Sequence, residues 1–172
     1  MIIDAKTRRG FALIEAVLYV VGVSLVVGIV SYFIAQGLDL HRRAAAETHA
    51  AEVGASLADR LSKEIRTGRT VVLGESAFGV PAGSLTLLSF SEENELKKRF
   101  ALENGRVGYS ENGGPVSLLT PPGTSVSKLQ FTQIETPVSY AVRYEIEVTY
   151  RTKEGERTRS YPGLSVLRYS YE

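Results

Sequence analysis

Between Ala16 and Leu38 the chain runs for 23 residues without a charge, dominated by Val, Leu, Ile, Gly and Tyr. No other feature limits the fold as much. As a helix the run is roughly 35 Å long at 1.5 Å per residue, enough to cross a hydrocarbon core ~30 Å thick with some tilt. A buried helix of a globular domain is shorter and carries a polar stripe, which this segment lacks. Ser24, Ser31 and Gln36 are tolerable in it, since a hydroxyl bonds back to its own helix. The expectation is a single membrane span.

The helical pattern outlasts the apolar run. Residues 39–67, "DLHRRAAAETHAAEVGASLADRLSKEIRT", hold no proline, one glycine and many alanines, a composition that favours helix. Ala46, Ala50, Val53, Leu57, Leu61 and Ile65 recur at spacings of three and four, one face of an amphipathic helix, with Glu47, Arg60, Lys63 and Glu64 off that stripe. Gly68 is placed to cap the end. One helix is therefore expected from about Phe11 to Thr67, roughly 85 Å if unbroken.

After Gly68 the pattern changes to strands and turns. Strands are expected at 83–90, 97–103, 105–110, 126–134 and 140–151, with a final arm from Arg157 interrupted at Pro162-Gly163. Asn104-Gly105, Asn112-Gly113-Gly114-Pro115 and Pro121-Pro122-Gly123 are the turn signals between them. In "YAVRYEIEVTYR", Tyr140, Val142, Tyr144, Ile146, Val148 and Tyr150 alternate with smaller or polar residues, the period of an antiparallel strand with one wet face. The fold class that buries both apolar faces is α+β. A long N-terminal helix, transmembrane in its first half (to residue 38) and amphipathic in its second (39–68), lies on a C-terminal antiparallel sheet domain (69–172).

Little here points to catalysis. Of two histidines, His41 and His49, both fall on the helix beyond the span, eight residues and about two turns apart, too far for one metal. Asp occurs only at 4, 39 and 59, so there is no Asp-rich metal loop, and with no cysteine there is no thiolate site or disulfide. No glycine cluster sits between a strand and a helix start, where phosphates are cradled. No cofactor is implied. The net charge of +1 gives no reason to expect a nucleic-acid partner. Glu92, Glu93 and Glu95 form a loop cluster, as Lys97, Lys98 and Arg99 do just after; opposite charges at a hairpin tip are most simply a solvated edge, with a nucleic-acid or surface-binding patch on Lys97–Arg99 as the alternative.

The N-terminus is more informative. Lys6, Arg8 and Arg9 precede the span and favour a cytoplasmic start, although Arg42 and Arg43 on the far side weaken the asymmetry. Glu15 stands at the mouth of the apolar run. A carboxylate near a membrane-helix centre costs ~2.5–3.5 kcal/mol, less near the interface, and such an acid usually has a partner. No basic side chain of this chain reaches it from within the bilayer, so the partner is the chain's own start or another chain.

"RRGFALIEAVLYVVGVSLVVGIV" resembles the class III signal of type IV prepilins and type II secretion pseudopilins: a short basic leader ending in glycine, then phenylalanine, then a glutamate as fifth residue of the mature chain. The resemblance implies a cytoplasmic leader at 1–10, cleavage between Gly10 and Phe11 by a prepilin peptidase, and N-methylation of Phe11. It also implies residence in the cytoplasmic membrane with the C-terminal domain outside. Polymerisation with other pilins or pseudopilins through an inner-membrane assembly platform would follow, with Glu15 neutralising the α-amino group of a neighbouring subunit and the helices exchanging lipid for one another. Ala12 replaces the usual Thr, Tyr32 stands where many major pilins have a kinking proline, and the C-terminal disulfide loop is impossible. These departures lean toward a minor subunit, and "LADRLSKEIRTG" followed by "GSLTLLSF" resembles J-type minor pseudopilins.

Two alternatives use the same residues. "TRRGFAL" also resembles a twin-arginine export signal, with Ala44-Ala45-Ala46 as a signal-peptidase site. The span could instead be an uncleaved anchor for a monomeric extracytoplasmic binding module. In an export signal Glu15 has no purpose, and cleavage at Ala46 would cut through the amphipathic stripe.

Overall fold

The computed structural model describes residues 5–91, 94–136, 139–152 and 155–167, with the backbone alone for 5–12, 91, 94, 136 and 139. It is an α+β structure. One helix, α1 (Ala5–Thr67), is followed by eight strands: β1 (Thr70–Val71), β2 (Ser84–Ser91), β3 (Asn94–Glu103), β4 (Arg106–Glu111), β5 (Ser117–Leu118), β6 (Ser125–Thr136), β7 (Ser139–Thr152) and β8 (Gly155–Val166). A 3₁₀ turn, Leu73–Glu75, follows β1. The chain divides into two compact units, Met1–Ala44 and Ala45–Glu172. α1 contributes to both.

In the second unit the amphipathic stripe behaves as its spacing predicts. Ala50, Val53, Leu57, Leu61 and Ile65 are all buried, and they join one core with Leu85, Leu87, Phe100, Val107, Phe131 and Ile146. The helix ends at Thr67, where the Gly68 amide donates to the carbonyls of Glu64 and Ile65 at 2.9 and 3.2 Å.

The single expected sheet is two. β1 to β5 form an antiparallel sheet in chain order, and β6-β7-β8 form a second. They are joined along β6, whose Leu129 accepts from Gly83 N–H and donates to Pro81 O, both at 2.8 Å. A Cβ on Gly83 would lie 2.8 Å from Leu129 O, so glycine is what lets the two backbones approach. The tight turns fall where the Asn-Gly pairs stand, with positive φ at Asn104 (51°), Gly105 (72°), Asn112 (49°) and Gly113 (71°), the type I′ requirement.

Three expectations need correction. β3 starts at Asn94, so Glu95 is a strand residue paired with Phe90 and not part of a loop; Glu92 and Glu93 lie outside the described residues. β8 runs unbroken through Pro162-Gly163, because it is the edge strand of its sheet, the place where a missing N–H is tolerated. Lys97, Lys98 and Arg99 are not one patch. Strand alternation turns Lys98 inward to Glu64 (2.7 Å) while Lys97 faces outward to Glu75 (2.6 Å).

Polar contacts fix the helix on both sheets. On the first, Glu64 and Lys98 are each less than one-fifth exposed, and Arg60 stacks 5.0 Å from the Tyr109 ring, whose hydroxyl donates to Glu111. On the second, Tyr144 donates to Ala58 O (2.9 Å), Tyr161 to Ala50 O (3.3 Å), and the Ser62 and Ser165 hydroxyls are 2.8 Å apart.

Candidate functional site: the exposed apolar helix and its acid

Of the described helix, the part before residue 39 has nothing packed on it. Every side chain from Leu13 to Leu38 is exposed, including Leu18 (67%), Tyr19 (74%) and Phe33 (67%). Among the described residues this is the one helix long and apolar enough to cross a membrane. Burial of a Val, Leu, Ile or Phe side chain is worth about 1.5–3 kcal/mol. An exposed apolar surface of this size is of the kind that marks membrane or protein interaction, and by length and composition the segment could serve as a membrane anchor.

Three of the polar side chains inside the segment bond within the helix itself. Ser24 Oγ donates to Val20 O at 2.7 Å, as the sequence suggested. Gln36 instead uses a side chain, its Nε2 donating to Tyr32 Oη at 2.6 Å. Four residues separate that pair, the spacing that brings side chains together on one helix face; it was legible in the sequence only with a helix assumed. Asp39 ends the apolar stretch and pairs with Arg43 at 3.5 Å, again one turn on.

Within the segment Glu15 differs in carrying a charge. It is exposed and has no hydrogen-bond or ion-pair partner among the described residues. Lys6, Arg8, Arg9, Gly10 and Phe11 all lie on the helical backbone of α1, with their side chains outside the described residues. Phe11 precedes Glu15 by four residues, so its Cα lies about 6 Å away along the axis. Chemically the segment is a greasy rod with one carboxylate near its start.

The histidines do not form a site. His41 is exposed, and His49 is exposed with its Nε2 3.4 Å from Thr124 Oγ1. Among the described residues no three His, Cys, Asp or Glu side chains are grouped to hold a metal. Comparison with family models, with curated proteins and with solved structures finds no match.

Proposed function

We propose that the chain is a minor type IV pilin or pseudopilin whose task is polymerisation, not catalysis. A prepilin peptidase removes residues 1–10, Phe11 becomes the N-methylated terminus, and residues 11–38 hold the subunit in the cytoplasmic membrane with residues 69–172 outside. Assembly then exchanges lipid around the apolar helix for the helices of other pilins or pseudopilins. The observation that carries this is the pairing of an exposed apolar helical segment with one acid, Glu15, that has no partner among the described residues.

The physical logic is local. An unpaired carboxylate in a low-dielectric bundle is costly, and a paired one is tolerated. Cutting at Gly10 places an α-amino group at the head of every subunit, so each Glu15 finds a cation on a neighbour. That pairing favours one axial register over the others. The absence of proline between Ala5 and Thr67 keeps the helix ladder intact through the segment, in keeping with a subunit unlike the abundant kinked ones.

Intact mass of the protein from cells that contain prepilin peptidase tests the processing step. Loss of Met1–Gly10 with gain of one methyl group is expected, and a retained leader refutes the proposal. Glu15→Ala should be cleaved nearly as well as wild type yet enter filaments poorly; equal incorporation removes the basis for the charge pairing.

A further inference from the structure

The first sheet has a second face, turned away from α1. Register pairs Phe90 with Glu95, Leu88 with Lys97, and Arg99 with both Thr86 and Ser110, so these side chains share that outer face. Part of it is an open trough of about 570 Å³ with Glu75 on one side and the 112–116 loop on the other. Both walls are anchored. Thr86 Oγ1 donates to Glu75 O at 3.1 Å, and Val116 lies over β4 where a Cβ on Gly108 would come within 2.7 Å of its Cγ1.

Four charges stand on the outward row of β3, and three of them, Glu95, Lys97 and Arg99, line the trough, with Glu103 beyond it at the end of the strand. Lys97, in the middle, is paired with Glu75 at 2.6 Å. Glu95 and Arg99 flank it, both exposed, and neither has an ion-pair or hydrogen-bond partner among the described residues. Four residues along a strand separate them by about 14 Å, too far for them to pair with each other.

We propose that this face binds the same face of a second copy of the chain, across a two-fold axis at Lys97, with Glu95 of each copy against Arg99 of the other. A two-fold contact places residue i on j and j on i, so the stretch from Glu95 to Arg99, an acid at one end and a base at the other, is its own complement when reversed. Sheets packed face to face lie about 10 Å apart, a gap that arginine and glutamate side chains reaching from opposite sides can close. The lysines meeting at the axis are each neutralised by their own Glu75. Apolar area comes from Phe90, Val116 and Leu118, each close to half exposed. Exposed ion pairs contribute little individually, so the charges set orientation and the apolar groups supply most of the adhesion. None of this depends on how residues 11–38 are used.

A charge-swap set on the full chain in detergent tests the contact, with self-association measured by sedimentation equilibrium at low salt. Glu95→Arg and Arg99→Glu each replace two attractive pairs by two repulsive ones, and each is expected to weaken association about tenfold. The double variant E95R/R99E restores a complementary row and should return to within about twofold of wild type. Wild-type association should also weaken as salt rises from roughly 0.05 to 0.5 M, where exposed charges are screened. Association carried by the apolar helix alone would be the same in all four proteins, and that result overturns the proposal. So does a double variant no better than the single ones, a wild type indifferent to salt, or a wild type that does not associate. Matched unfolding midpoints across the set establish that the exposed substitutions leave the fold intact.

Discussion

Replacing Gly163 by alanine should destabilise the β domain, although the same change in an ordinary strand stabilises. Tyr144 is 4% exposed, lies opposite Gly163 in register and donates its hydroxyl to Ala58 O on the helix. A Cβ on Gly163 would stand 2.1 Å from Tyr144 Cζ and 2.3 Å from its hydroxyl oxygen, so the ring has to leave. The added methyl reduces unfolded-chain entropy, a gain of about 0.4–1 kcal/mol where the site can accept it. Against that, overpacking costs about 1–3 kcal/mol, and the displaced hydroxyl loses a buried hydrogen bond worth about 1 kcal/mol. The balance is a loss of about 1–3 kcal/mol. Urea unfolding of the full chain in detergent, followed by the near-ultraviolet tyrosine signal, measures it; the chain has no tryptophan to confuse that signal. The decisive comparison is the same substitution in a Tyr144→Ala background, where the new methyl meets a cavity and its cost should vanish. A coupling of about 1–3 kcal/mol is expected for residues in such contact. If Gly163→Ala is as stable as wild type, or if the two changes simply add, the glycine is not there for the ring.

Other consequences can be checked with the same unfolding assay. Lys98→Met should cost more than Lys97→Met although both ammonium groups sit at similar distances from a carboxylate. Lys98 and Glu64 are largely shielded while Lys97 and Glu75 are more than 40% exposed, so about 1–3 kcal/mol is expected for the first and under about 1 kcal/mol for the second. Equal losses would count against burial as the deciding factor. Leu61→Ala, at the fully buried centre of the helix stripe, should cost about 2–5 kcal/mol, and a loss below 1 kcal/mol would mean that the stripe is not the core. Burial, and then the bond to Glu111 and the nearby carboxylate charges, hold the Tyr109 hydroxyl well above the usual phenol range. A group whose folded pKa is raised gives its full stability below the unfolded value of about 10 and loses it as pH rises further. Stability should therefore fall above about pH 10, and Tyr109→Phe should make that fall shallower; an unchanged alkaline limb refutes the coupling.

Much of the fold was legible because its signals are local. Twenty-three uncharged residues and a 3–4 spaced apolar stripe define both halves of α1 without any tertiary information. The Asn-Gly turns are equally self-sufficient, since the φ they need belongs to the residues themselves. Where strand alternation was unbroken, as in β7, the buried face followed directly: Val142, Tyr144, Ile146 and Val148 are all in the core. The division into two sheets was not legible. β6 carries a register shift between Val126 and Lys128, so Val126 and Leu129 both point inward three residues apart and the period-two pattern fails there. The two-residue strands β1 and β5 are too short to show any period. The split of Lys97 from Lys98 required knowing which face of their strand turns toward α1, since Lys98 reaches Glu64 on the helix and Lys97 reaches Glu75.

The candidate site was legible for a different reason. Glu15 is conspicuous because a charge beside a membrane-length segment has a cost independent of how the rest of the chain folds, so no packing had to be known to find it. The Gly163–Tyr144 and Gly54–Tyr161 contacts are the opposite case. A Cβ on Gly54 would meet the Tyr161 ring at 2.2 Å, yet in the sequence Gly54 looks like a weak point in a helix and Gly163 like a break in a strand. Each glycine becomes meaningful only when the helix lies on β7 and β8 in the one position that sets Tyr144 beneath Ala58 and Tyr161 beneath Ala50. The two tyrosine hydroxyls reach carbonyls eight residues apart, a little over two helical turns, so sliding the helix by one residue would break both bonds at once. Glycines that look like defects locally thus fix where the helix lies on the sheet, and that placement exists only in the assembled domain.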